Sequence, residues 1–184
     1  MSKIGKKNIL VSSDVKVQIN DNKILLEGPK GKKSLDINNE HLKVTFSDGK
    51  ITVAPKDPKK QNKIVWGLQR SLINNAVIGV SKGYEEQLKL NGVGFRANLK
   101  GKQLQLQLGF SHDIFYDIPE GITIKVEKQT TIIISGVDKE LVGKTVANIK
   151  FYKPVEPYKQ KGITSDGQFI LKKEGKKKWW LQEI

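Results

Sequence analysis

Apolar and polar positions alternate with a period of two through most of this chain, and twice that alternation gives way to a period near four. Val15, Val17 and Ile19 alternate up to Asn20-Asp21-Asn22 and Lys23-Ile24-Leu25-Leu26 follows, so residues 16–27 read as a β-hairpin. Gly28-Pro29-Lys30-Gly31 is the next turn. Leu42, Val44 and Phe46 alternate before Ser47-Asp48-Gly49-Lys50, and Ile51 and Val53 alternate after it, a second hairpin with Asp-Gly at its tip. Asp57 then offers a cap and Pro58 suits a first helical position. Val65, Leu68, Leu72 and Ala76 recur at helical spacing, which predicts one helix over 58–78, ended by Gly79 and Gly83.

The order then begins again. Strands over 85–90 and 95–99 flank Gly92-Val93-Gly94, Lys100-Gly101-Lys102 makes a turn, and Leu104, Leu106 and Leu108 alternate. Phe115, Tyr116 and Ile118 lead to Pro119-Glu120-Gly121. Ile122, Ile124 and Val126 then pair across a turn with Ile132 and Ile134, before a helix over 138–151. Laying one half on the other puts Gly28 on Gly109, Val44 on Ile124 and Val53 on Ile134, a shift of 80 or 81 residues. The expected fold is therefore α+β with an internal duplication: two tandem similar domains, residues 1–82 with a basic N-terminal arm and residues 83–184 with a Pro/Lys-rich arm and basic tail. Each has antiparallel strands and one main covering helix.

Charge adds a partner to this picture. The chain is formally +14 with a pI near 9.8. Each phosphate neutralised by such a chain releases condensed counterions, so a polyanion, nucleic acid first, is the expected partner. The charge is concentrated: residues 150–178 hold nine Lys against three acids, Glu156, Asp166 and Glu174, whereas basic and acidic residues are nearly balanced over 83–149. Within that run, Lys153-Pro154-Val155-Glu156-Pro157-Tyr158-Lys159-Gln160-Lys161-Gly162 reads as a stiff, exposed binding arm. Pro154 and Pro157 fix φ and exclude helix, the lysines suit phosphates, Tyr158 can stack or donate, and Gly162 allows close backbone approach. Lys3, Lys6 and Lys7 form a shorter basic arm at the start. No long apolar run or basic amphipathic helix with large apolar anchors points to a membrane. With no Cys and only His41 and His112, neither disulfides nor a zinc site is expected, and the start has the pattern of neither a signal nor a transit peptide.

Three motifs resemble catalytic or nucleotide sites and are read otherwise. Gly92-Val93-Gly94-Phe95-Arg96-Ala97 fits G-x-G-x-x-A, but an alternating segment rather than a helix follows, so it is a glycine bend between strands. Gly143-Lys144-Thr145 resembles the end of a phosphate loop but falls inside a predicted helix, and Asp138 stands where the first glycine belongs. Ser111, His112 and Asp113 are sequence neighbours, which seldom face one another; His112 is read as a loop histidine that donates to backbone or phosphate rather than as a catalytic base. Arg70 and Arg96 suit local ion pairs. Trp179-Trp180, after the lysines at 176–178, could stack on bases, dock on a neighbouring protein or cap the domain core.

Six segments then converge: Ser2-Lys3-Ile4-Gly5-Lys6-Lys7; Glu27-Gly28-Pro29-Lys30-Gly31; Arg70-Ser71-Leu72-Ile73-Asn74-Asn75 through Gly79-Val80; Leu90-Asn91-Gly92-Val93-Gly94-Phe95-Arg96-Ala97; Leu108-Gly109-Phe110-Ser111-His112; and Glu156-Pro157-Tyr158-Lys159 with Lys161-Gly162. In this order, over nearly the whole chain, they resemble the family of large ribosomal subunit protein six in its bacterial and organellar form. Val155 stands where that family usually has proline, Gln160 where it has glycine or alanine, and the tail after Lys178 matches nothing associated with it. The resemblance implies a structural, non-enzymatic constituent of the ribosome, in bacterial cytoplasm or an organelle matrix. It would bind large-subunit rRNA mainly through the second domain, near the factor-binding region and stalk base, beside neighbouring ribosomal proteins. No cofactor, metal or small-molecule substrate is implied. The implied rRNA contacts are Lys3, Lys6, Gly92, Gly94, Arg96, Ser111, His112, Lys153, Tyr158, Lys159, Lys161, Gly162, Lys172, Lys173, Lys176 and Lys177.

Overall fold

A computed structural model describes residues 3–20, 22–37, 40–56 and 60–175. The chain runs β1 (Ile9–Leu10), β2 (Lys16–Ile19), β3 (Lys23–Gly28), β4 (Gly31–Asp36), β5 (Leu42–Ser47), β6 (Lys50–Pro55) and helix α1 (Lys60–Ser81). It continues through β7 (Tyr84–Asn91), β8 (Arg96–Lys100), β9 (Gln103–Gln107), β10 (Ile114–Asp117), β11 (Ile122–Glu127), β12 (Thr131–Gly136), α2 (Lys139–Tyr152) and β13 (Gly162–Ser165). This is the duplicated α+β architecture expected. The first half makes sheets ordered β2-β3-β4 and β1-β6-β5; the second makes β8-β9-β10 and β11-β12-β7-β13. The β3–β4 turn is the two residues between Gly28 and Gly31, and β5 meets β6 around Asp48-Gly49, as their turn residues require. By packing, the residues form one compact unit of Met1–Glu85 with Ser135–Val142, and a second of Glu86–Ile134 with Gly143–Ile184.

In the first unit Ile9, Ile24, Leu26, Leu42, Ile51, Trp66, Ile73 and Val80 form the core. The face of α1 that supplies it differs from the one expected. Trp66, Gln69, Ile73, Ala76, Val77 and Val80 are buried, whereas Leu68 is 59% exposed and Leu72 lies at the margin. The stripe is rotated because Trp66 is its widest member, with its indole N–H donating to the Val53 carbonyl at 2.6 Å. Gln69 joins it without an orphaned amide by donating to the Asp36 carbonyl at 2.8 Å. Gly79 does not end α1; a Cβ there would strike the Val137 carbonyl, so the glycine serves packing inside the helix. The stop is Gly83, at φ 80°, with its N–H on the Ile78 carbonyl. The expected Asp57-Pro58 start lies outside the described residues.

Helix α2 begins one residue late because Asp138 is its cap: the Asp138 carboxylate accepts from the Glu140 N–H at 3.2 Å. Three strands had no sequence signal. β1 is two residues long. β4 turns Gly31, Lys33 and Leu35 toward the interior, and the middle one is a lysine paired with Asp138. β13 carries a single apolar residue, Ile163, which is fully buried.

Candidate nucleic-acid interface

The second unit builds its most elaborate surface around two phenylalanines. β7 ends at Asn91, and the chain turns with the Phe95 N–H on the Gly92 carbonyl before β8 starts. A strand follows, so the glycines make a bend and not a dinucleotide loop. Phe95 is buried; a Cβ on Gly92 would lie 2.9 Å from its ring, and one on Gly109, in the loop after β9, 3.4 Å. The missing side chains at 92 and 109 thus seat Phe95 between two loops. In the second loop Phe110 is partly exposed and the His112 ring stacks near it, centroids 6.3 Å apart. The Asp113 carboxylate accepts from the Gln105 and Gln107 side-chain amides through one of its oxygens.

The arm leaves α2 at Tyr152 and returns to the sheet. Lys153 places its ammonium 4.3 Å from the Phe110 centroid and Lys161 lies 5.0 Å from that of Phe95. Each contact is worth about 0.5–1 kcal/mol at an exposed site and restricts a flexible cation to one place. The Glu156 N–H donates to the Lys161 carbonyl at 2.9 Å and the Ile163 N–H to the Lys153 carbonyl at 3.0 Å, closing the arm into a loop. β13 then pairs with β7, Gly162 opposite Asn91 and Ser165 opposite Leu88. Burying Ile163 completely contributes roughly 1.5–3 kcal/mol, enough to anchor the loop. Beyond β13, Asp166 receives Lys89 at 2.9 Å, and that hydrogen bond holds its carboxyl below its ordinary value. The Lys150 ammonium donates to the Ser165 hydroxyl and the Gln168 amide oxygen, and the Lys173 N–H to the Pro157 carbonyl.

The structure therefore gathers Gly92, Gly94, Ser111, His112, Lys153 and Lys161 around Phe95 and Phe110, with the exposed Tyr158 and Lys159 near the turn of the arm. Arg96 is exposed at the start of β8, and Lys172 and Lys173 are exposed where the chain is pinned to Pro157. Gly162 has a different place from the one expected. It is buried, at φ 144°, and a Cβ would lie 2.7 Å from the Pro154 carbonyl oxygen and the Val155 Cα, so the close approach it permits is that of the arm to itself. The arm is correspondingly a braced loop and not a free extended segment. Lys3 and Lys6 are exposed in the first unit, where Gly5 packs on the Trp66 ring and Arg70 donates to the Lys7 carbonyl at 3.1 Å, with no ion pair of its own among the described residues. Lys176, Lys177 and Trp179-Trp180 lie outside the described residues. Phe95 and Phe110 went unrecognised in the sequence as seats for lysines. Each follows a positive-φ glycine, Gly94 or Gly109, which marks a turn, but nothing in the linear pattern shows which cation comes to rest over the ring.

Comparison with known proteins follows the duplication. A family model described as Ribosomal protein L6 matches twice, over residues 11–83 and 91–166. The chain is 48% identical over 178 residues to the large ribosomal subunit protein uL6 of Bartonella quintana, 46% over 178 to that of Bradyrhizobium sp. (strain ORS 278), and 47% over 180 to that of Zymomonas mobilis subsp. mobilis. Each alignment spans 97% of this chain and the whole of the relative.

Proposed function

The chain belongs to the ribosomal protein L6 family, structural and non-enzymatic proteins of the large ribosomal subunit, and on that premise we propose that it binds large-subunit rRNA chiefly through the braced arm of its second unit. Lys153, Lys159 and Lys161, with Lys172 and Lys173, meet phosphates; Gly92 and Gly94 let the 91–95 turn lie close to the RNA backbone, and Ser111 and His112 donate from the adjacent loop. Tyr158 stacks on a base or sugar. Lys3, Lys6, Arg96, Lys176 and Lys177 extend the contact. Because A-form RNA offers shape, phosphates and 2′-hydroxyls rather than readable base edges, specificity comes from the fit of this rigid surface.

The observation that carries the reading is the seating of Lys153 and Lys161 over Phe110 and Phe95 on a loop closed by its own backbone hydrogen bonds. Ammonium groups already held in place lose less side-chain entropy on meeting phosphate than free lysines do. We infer that the contact lies near the factor-binding region and the base of the stalk, in the ribosome of a bacterium or of an organelle that encodes its own copy. Sedimentation of the native protein tests the proposal. It should travel with large subunits through a high-salt gradient, whereas a protein remaining in the soluble pool would be a free nucleic-acid-binding regulator.

A further inference from the structure

Between α2 and the arm lies an open, largely apolar groove of about 420 Å³, lined by Val146, Ala147, Phe151, Pro154, Val155 and Ile163 together with Lys150 and Gln168. Its rim is unusual for a folded surface, since Phe151 is 83% exposed, and Phe169 and Leu171 on the outgoing chain are exposed as well. The Lys150 ammonium on its wall already donates to Ser165 and Gln168, and an otherwise apolar trough is a poor seat for a polyanion. We propose that this groove receives the chain's own Trp179-Trp180 pair.

Reach and concentration both favour that occupant. The Lys173 N–H is hydrogen-bonded to Pro157, which fixes the outgoing chain beside the arm. Pro154 and Val155 lie two or three residues from Pro157, at most about 11 Å away, while the six residues from Lys173 to Trp179 can span about 20 Å. A tether this short keeps the indoles at an effective concentration of about millimolar, well above that of a second copy or a separate protein in dilute solution. Two tryptophans also match the chemistry of the trough: each offers a large apolar face to bury and one N–H that can remain at the wet rim. Docking would draw Lys176 and Lys177 along the same unit as Lys153 and Lys161. The inference concerns the free protein and stands apart from the rRNA reading, so either can fail alone.

The test is acrylamide quenching of tryptophan fluorescence in the full-length chain without RNA. The buried Trp66 signal is subtracted with a Trp179→Phe/Trp180→Phe variant. The two indoles should be quenched several-fold less than in a synthetic peptide of residues 176–184. Ala147→Glu, on an exposed wall of the groove, and Phe151→Ala, at its exposed rim, should each restore peptide-like quenching with the helical circular dichroism unchanged. Peptide-like quenching in the unaltered chain would overturn the inference. So would shielding that survives both groove variants, or shielding that disappears on dilution, which would make a second copy the occupant.

Discussion

The two halves of this molecule carry the same frame and use it differently. β6 and β12 lie at the centre of corresponding sheets, with β5 and β11 on one side and β1 and β7 on the other, and in each half one helix follows. After α1 the chain passes directly into β7. After α2 it makes the arm and inserts β13 outside β7, an edge position that has no counterpart strand in the first half among the described residues. The net charge runs the other way: residues 1–82 hold 16 basic and 7 acidic residues, formally +9, and residues 83–184 hold 17 and 12, formally +5. If charge alone selected RNA, the first half would bind. Among the described residues, lysines held against aromatic rings on a braced loop occur in the second half, and under the proposed function the duplication supplied a scaffold while the addition supplied the chemistry.

Matched core truncations give the largest effects. Ile24 on β3 and Leu104 on β9 occupy equivalent, fully buried positions. Ile24→Ala and Leu104→Ala should each cost about 2–5 kcal/mol in chemical denaturation. If the frames are equivalent the costs agree, while RNA affinity under native conditions should suffer more from the second change. Gly162→Val comes next and acts only on the added element. A branched side chain at φ 144°, pressed on Pro154 and Val155, should lower stability by roughly 2–3 kcal/mol and weaken RNA binding out of proportion to that loss. Gln160→Gly should have the opposite sign. Gln160 sits at φ 57°, where a side chain is strained, and glycine there should raise the unfolding free energy in chemical denaturation by about 0.5–1 kcal/mol with affinity unchanged or improved.

A smaller effect lies in the Lys89–Asp166 pair, which ties the chain after β13 to β7. Because the folded carboxyl titrates below its ordinary value of 3.8, the pair's stabilisation is present above that value and fades as pH falls through the lower folded value. Asp166→Asn should therefore reduce thermal stability slightly at neutral pH, and the difference from the unaltered chain should vanish in acid.

Much of this was legible in the sequence. The repeat offset, both helices and most of the hairpins follow from alternation and turn residues, because each is a local pattern with its own period. What stayed hidden depends on partners distant in the chain. β13 has one apolar residue and becomes a strand only because Leu90 and Lys89 present an open ladder to Ile163 and Thr164. The buried stripe of α1 was misplaced because Leu68 and Leu72 look as apolar as Ile73 and Val77, and only Trp66 and the sheet beneath decide which row turns inward. The candidate site was half visible. The lysines and glycines stood out by composition, whereas the Phe95 and Phe110 seats, and the use of Gly162 to let the arm close on itself, required the fold.

The salt dependence of binding to large-subunit rRNA fragments tests the central claim most directly. Lys153→Ala/Lys161→Ala removes two seated cations from the second unit, and Lys3→Ala/Lys6→Ala removes two exposed ones from the first, so both lower the net charge equally. The first pair should flatten the slope of log K against log salt by about 1.4 to 1.8, the value for two lost phosphate contacts, and the second by clearly less. An unchanged slope for the Lys153/Lys161 pair, or an equal change for both pairs, would contradict the account.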